Sequence, residues 1–157
     1  KTIRAWLLSS TKLVYSDMED KFFVVKKVEI GGVKRKYGVY GEIEVVFTCE
    51  PSTYFEDGQE EIDVGKFYNL HSWSQPTYKL SGSGACTLMV NGAIMTADVV
   101  DNLIIDTERM IAYKANGTLA NTAVKGDYED LYLQPGENAV SVSSGFECKI
   151  IPNWRCL

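Results

Sequence analysis

The stretch Gly126–Leu157, GDYEDLYLQPGENAVSVSSGFECKIIPNWRCL, decides the reading of this chain. In it, Gln134-Pro135-Gly136-Glu137 has proline and glycine where a type II turn needs them, because proline presets φ at the second position and glycine tolerates positive φ at the third. Two period-2 segments follow the turn. These are Ala139-Val140-Ser141-Val142-Ser143 and Phe146-Glu147-Cys148-Lys149-Ile150, separated by Ser144-Gly145. The pattern predicts a terminal β-hairpin, with Val140 and Val142 sharing one face and Phe146, Cys148 and Ile150 sharing another. Two strands alone are at best marginally stable in water, so such a hairpin must pack on another sheet. The ending therefore predicts a β-sandwich around it.

Upstream, from Val64, short apolar runs alternate with turn signals at the spacing of a sandwich or barrel. Lys66 to Leu70, Thr77 to Ser81 and Ala85 to Val90 read as strands, with Ser81-Gly82-Ser83-Gly84 as a β-turn between the last two. Asn91-Gly92 between apolar runs is the strongest hairpin signal, since both residues accept the positive φ of a type I′ turn. Ala93 to Ala97 returns from it. Asn102 to Asp106 and Met110 to Lys114 form a second hairpin across Thr107-Glu108-Arg109, and Ala115 to Asp127 is a long loop. No helical period appears in this segment, which reads as all-β with roughly eight or nine strands.

The first segment differs. Ile3, Trp6 and Leu7 share a helical face that ends at Ser9-Ser10-Thr11, which predicts a short helix. Lys21 to Ile30 is rich in aromatic and β-branched residues and reads as a strand punctuated by Gly31-Gly32. Gly41 to Glu50 alternates, with Ile43, Val45, Phe47 and Cys49 expected on a dry face. Pro51 is expected to stop that strand, and the polar run from Pro51 to Asp63 to separate two domains, 1–63 and 64–157. One helix and three strands in about sixty residues lie near the lower limit for a self-sufficient core. The chain starts at Lys1 and not at methionine, which suggests a piece whose first domain continues upstream.

Composition narrows the function classes. With 45% hydrophobic residues the chain has enough apolar matter for a core. There is no run of about 18 apolar residues, so no membrane association is expected. The formal net charge of −5 is spread evenly, with nine basic and twelve acidic residues in 1–63 and seven and nine in the rest. A nucleic-acid face needs a basic stripe. The one candidate, Lys34-Arg35-Lys36 beside Lys26-Lys27, sits among acidic residues and reads as a solvated strand edge, so no nucleic-acid recognition is expected. The four cysteines (Cys49, Cys86, Cys148, Cys156) include no CxxC and accompany a single histidine. They read as free thiols, mostly buried, and not as zinc ligands or a disulfide framework.

The candidates for chemistry are few. His71 has no nucleophile near it in sequence and reads as a loop residue capping backbone groups. Ile104-Ile105-Asp106-Thr107 starts like an aspartic protease motif, but Glu108 stands where glycine is required. Asp98, Asp101, Asp106 and Glu108 lack the spacing and central glycine of a calcium loop. Ser81 to Gly84 has no helix behind it to make a phosphate cradle. Asn116-Gly117-Thr118 fits a glycosylation sequon, relevant only in a secretory pathway. No catalytic residue, metal site or cofactor is expected, and the chain reads as a non-enzyme. Aromatic residues remain. Trp73, Tyr78, Tyr128 and Tyr132 are the candidate contacts for a sugar or a partner protein, against the alternative that such residues fill core and subunit contacts.

The second segment resembles the C-terminal half of the distal tail proteins of long-tailed, non-contractile bacteriophages and their prophage relatives. The resemblance rests on Asn69 leading to Pro76, Ser81-Gly82-Ser83-Gly84 before a strand, Val90-Asn91-Gly92, and Ile105-Asp106-Thr107-Glu108 followed by Met110 and Tyr113. It continues with Leu133-Gln134-Pro135-Gly136-Glu137-Asn138 and Ile151-Pro152-Asn153-Trp154-Arg155. Ile3-Arg4-Ala5-Trp6-Leu7, Leu13, Ser16-Asp17, Phe22-Phe23 and Phe47-Thr48-Cys49-Glu50-Pro51 extend it to nearly the whole chain, while the family's opening strands are absent. The resemblance implies a mainly β protein. Its C-terminal antiparallel β-sandwich, a jelly roll similar to galectins and carbohydrate-binding modules, would follow part of a small α+β ring-forming domain. It further implies a non-enzymatic baseplate hub at the virion tail tip, made in the host cytoplasm and hexameric through its N-terminal domain. The implied partners are the tail tube protein, the tail tip or tail-associated lysin protein, and a receptor-binding protein or cell-wall saccharide used in host adsorption. The alternative reading is a carbohydrate-binding module that recognises bacterial surface polysaccharide.

Overall fold

The fold is described from a computed structural model covering residues 2–36 and 40–157. The chain is mainly β with antiparallel sheets and one small helix. It divides into two compact units, residues 1–54 with Leu157, and residues 55–156. The division falls inside the polar run from Pro51 to Asp63, upstream of residue 63.

The first unit holds helix α1 (Ile3–Leu8) and a sheet in which β1 (Lys12–Leu13), β2 (Lys21–Lys36) and β3 (Tyr40–Phe55) are neighbours. β1 pairs antiparallel with β2, Leu13 opposite Phe23. Its buried apolar residues are Phe22, Val25 and Tyr54, and the rings of Phe22 and Tyr54 stack at 5.6 Å. Three expectations are corrected here. β2 runs on through Gly31-Gly32, because extended backbone is sterically open to glycine and the cost of holding it there is only entropic. β3 runs on through Pro51 to Phe55, since proline's fixed φ suits an extended strand and removes only one donor. The apolar faces are not dry: Ile3 and Trp6 of α1 are 73% and 63% exposed, Ile43 is exposed, and Val45, Phe47 and Cys49 are only half-buried. Lys26 pairs with Glu50 and Lys27 with Glu29 at 2.8 Å, which neutralises that part of the basic stretch. Lys34 is exposed, and the side chains of Arg35 and Lys36 lie outside the described residues.

The second unit is built on one long hairpin. β4 (Ile62–Asp63) and β5 (Gly65–Asn69) precede it, and β6 (Thr77–Val90) and β7 (Ala93–Asp106) form it, paired in register from Thr77↔Asp106 to Val90↔Ala93. Asn91 (φ 51) and Gly92 (φ 90) make the two-residue connection, as their sequence predicts. β8 (Ile111–Tyr113) and β9 (Val124–Lys125) pair with the two ends of β7. β10 (Gly136–Val142) pairs with Leu88–Val90 at one end of β6, and β11 (Glu147–Ile151) with Thr77–Ser81 at the other. Two leaves result. One runs β4, β11, β6, β7, β8, and the other runs β5, β10, β6, β7, β9.

Both leaves share the same two central strands, so the inward faces must curl toward each other. Tyr78 and Leu80 at one end of β6, and Cys86, Leu88 and Val90 at the other, alternate without a break in parity. Met95, Ala97, Val99, Leu103 and Ile105 do the same on β7. All belong to one buried cluster, joined by Ala112, Leu131, Leu133, Val140, Cys148 and Ile150. The bend is marked by the facing pair Gly82 (φ 143) and Asp101 (φ 70), both at positive φ. Phe146 packs against Gly82, where a Cβ would lie 2.5 Å from the ring.

The terminal hairpin predicted from the sequence does not form, because β10 and β11 each pair with β6 and not with one another. The break between them, residues 143–146, crosses from leaf to leaf. Ser143 holds the crossing, its backbone nitrogen donating to the Thr87 carbonyl at 3.0 Å and its hydroxyl accepting from the Thr87 nitrogen at 3.0 Å. Ser81 to Gly84 is likewise strand and not turn, and Ala93 to Asp106 is one strand and not two. The loop from Ala115 to Asp127 carries a 3₁₀ turn, Asn121–Ala123, and then β9.

Candidate functional site

The connection from β5 to β6 is anchored by a short bridge. Ser74 and Leu133 exchange backbone hydrogen bonds of 2.9 and 3.1 Å in an antiparallel bridge, which leaves Trp73 and Tyr132 as diagonal neighbours on one face. Their rings stack at 5.4 Å with planes 22° apart. The Arg155 guanidinium carbon lies 3.8 Å from the Trp73 ring centre, a cation–π contact. Its Nε donates to the Trp73 carbonyl at 3.0 Å and its Nη1 to Gln75 Oε1 at 2.9 Å, while Gln75 Nε2 donates to the Tyr132 hydroxyl at 3.1 Å. Trp73, Gln75 and Tyr132 are thus linked into one cluster with Arg155, a residue that is 6% exposed. Two of the sequence candidates, Trp73 and Tyr132, are brought together, but their interaction groups are occupied from within.

Tyr78 is corrected from a surface candidate to a core residue. It is fully buried, and its hydroxyl donates to the Leu131 carbonyl at 2.7 Å. Burial holds its acidity far below that of a free tyrosine, with the Cys148 thiol adding to the effect. Tyr128 is half-buried against the same core, and its hydroxyl is buried without a hydrogen-bond partner among the described residues. It borders a shallow depression shared with Met110, Asp127, Glu129 and Asp130.

The remaining candidates have structural work. The His71 ring stacks on Phe55 at 3.9 Å, and its backbone nitrogen donates to Asn69 Oδ1 at 2.8 Å. Asp106 Oδ1 accepts from the Arg109 nitrogen at 3.0 Å and closes the β7–β8 turn. Asn116 Oδ1 accepts from the Thr118 nitrogen at 3.0 Å. Among the described residues no three His, Cys, Asp or Glu side chains are grouped to hold a metal ion. None of the four cysteines forms a disulfide; Cys86 and Cys148 are buried and Cys156 is exposed.

One open groove contains none of Trp73, Tyr78, Tyr128 and Tyr132. It has a volume of about 450 Å³ and is lined by Lys66, Phe67, Tyr68, Asn91, Glu137, Asn138 and Ala139. Tyr68 is 63% exposed, and the β5–β10 register sets it directly opposite Glu137. The signal was present in the alternation of Lys66-Phe67-Tyr68-Asn69: if Phe67 and Asn69 face in, Lys66 and Tyr68 face out. Asn138, 2% exposed, organises the floor of the groove. Its Oδ1 accepts from Asn91 Nδ2 at 2.9 Å and the Gln134 nitrogen at 2.9 Å, and its Nδ2 donates to the Gln134 and Gly136 carbonyls at 2.7 and 3.0 Å. Gly136, at φ 93, has the positive φ that the Gln134 to Glu137 turn calls for.

No protein-family model matches the chain, and no curated protein matches it by sequence. Among solved structures it is similar to the crystal structure of SPP1 Dit (gp 19.1), described as a paradigm of the hub adsorption apparatus in Gram-positive infecting phages. The TM-score is 0.60 at 12% identity, over 98% of this chain and 69% of that one. At that identity the likeness establishes a Dit-like fold.

Proposed function

We propose that this chain is a distal tail protein, a structural hub that self-assembles into a ring at a phage tail tip and has no catalytic role. The observation that carries the reading is the likeness to SPP1 Dit over 98% of the chain, spanning both compact units. In this reading the ring is a hexamer formed through the first unit. It joins the tail tube protein to the tail tip or tail-associated lysin protein, and the protein resides in the virion after synthesis in the host cytoplasm. Ile3, Trp6, Leu8, Ile43 and Val46 support it, since each is exposed on a small unit with few buried residues, as subunit contacts require. The sandwich is the outward module, available to a receptor-binding protein or a cell-wall saccharide.

The test is solution mass by light scattering across a concentration series, together with pull-down of the tail tube protein. A mass near six chains with tube capture is expected. A monomer at every concentration that captures no tail component would sink the reading.

A further inference from the structure

We propose that the outer face of β5 and β10 is a saccharide-binding groove, in which a pyranose ring lies against Tyr68 and its hydroxyls reach Lys66 and Glu137. The proposal rests on the reading of the sandwich as a module open to a cell-wall saccharide, and does not depend on ring assembly.

Tyr68, Lys66 and Glu137 are exposed, and none of the three side chains has a hydrogen bond, ion pair or ring contact among the described residues. This sets Tyr68 apart from Trp73, Tyr78 and Tyr132, whose rings or hydroxyls are already engaged. The groove places the three side chains together: Tyr68 faces Glu137, and Lys66 faces Ala139, one pleat repeat along the same face. Its size suits one or two sugar rings, and its chemistry is an aromatic platform with a few polar groups, the usual make-up of a small-ligand site.

The charges select the ligand class. An anion on Lys66 would meet Glu137, and a cation on Glu137 would meet Lys66. A polyhydroxylated neutral ring satisfies both, because each hydroxyl can donate to the carboxylate and accept from the ammonium or the phenol. The floor is set before any ligand arrives. Asn91 Nδ2 is fixed on Asn138, and its Oδ1 accepts from the Ala139 nitrogen at 2.8 Å, which ties the β6–β7 turn to the groove wall. A rigid wall lowers the ordering cost of binding.

The test is an amide NMR titration of the whole chain with chitotriose and, separately, maltotriose. Shifts confined to residues 66–68, 91 and 137–139 are expected with at least one of them. Tyr68→Ala should weaken that binding about tenfold or more, since the platform is lost. Glu137→Gln, which keeps the shape, should weaken it too, while Ile94→Ala elsewhere on the outer surface should not. Each variant's unperturbed amide spectrum certifies its fold. The proposal is overturned if neither sugar shifts these amides, if the shifts map elsewhere, or if Tyr68→Ala binds unchanged. It is equally overturned if Tyr68 proves to be needed only for capture of another tail protein.

Discussion

Gly58 lies so close to Trp154 that a Cβ added to it would press into the Trp154 backbone nitrogen and sit 2.8 Å from its Cβ. The approach is held by a hydrogen bond of 2.8 Å from the Asn153 nitrogen to the Gly58 carbonyl, and by another of 2.9 Å from the Phe55 nitrogen to the Trp154 carbonyl. The start of the second unit is thereby clipped to its end. Gly58→Ala must push backbone against backbone, and a loss of about 1–3 kcal/mol is expected. A lower midpoint in denaturant unfolding, followed by tryptophan fluorescence, checks it.

Gly82 combines two constraints, its φ of 143 and its contact with Phe146. Gly82→Ala is therefore expected to destabilise, again by about 1–3 kcal/mol. Adding Phe146→Ala should return only the steric share, because the ring yields but the backbone angle does not. A double-mutant cycle separates the two. Full additivity would show that the ring does not press on this position.

Arg155→Lys keeps the charge but loses the planar fork that serves Trp73 and Gln75 together. A cost of about 1–3 kcal/mol is expected, the range for leaving buried acceptors short of a donor. Loss of near-ultraviolet dichroism from the Trp73–Tyr132 stack should accompany it.

The Cys148 thiol is pushed up from 9.0 to about 12 by burial, with the neighbouring Cys86 adding to it. Its folded value lies above its unfolded one, so it favours the native state fully below about pH 9. That contribution is lost as pH rises from 9 toward 12, because the unfolded chain ionises first. Burial raises Tyr78 in the same direction. Stability against urea should fall across that range, and Cys148→Ala should flatten the fall. At pH 8 an aromatic disulfide reagent should label exposed Cys156 at once, and Cys86 and Cys148 only on unfolding.

The sequence reveals which side chains face inward, because period-2 alternation survives from Tyr78 to Val90 and from Met95 to Ile105. It also reveals the Asn91-Gly92 reversal, where the backbone requirement is local. It does not reveal partners. Val142 and Glu147 are separated only by residues 143–146, yet they pair with Leu88 and Ser81, and no local pattern distinguishes that arrangement from a hairpin. Ser81-Gly82-Ser83-Gly84 misleads for the same reason, since the residues that reverse a chain also bend a strand. Residue type alone cannot tell an occupied ring such as Trp73 from a vacant one such as Tyr68.

Because one hairpin runs through both leaves, the second unit has a built-in order of assembly. β6 and β7 close over a two-residue turn and form early at little entropic cost, whereas β10 and β11 must return from far along the chain to dock on the remaining edge of β6. During synthesis that edge stays bare until β10 and β11 emerge, a fourteen-residue row of open donors and acceptors beside apolar side chains. A ribosome stall or a proteolytic cut ahead of Gly136 would leave a template for aggregation and not a smaller sandwich. The β10–β11 segment therefore acts as the seal on the rest of the unit.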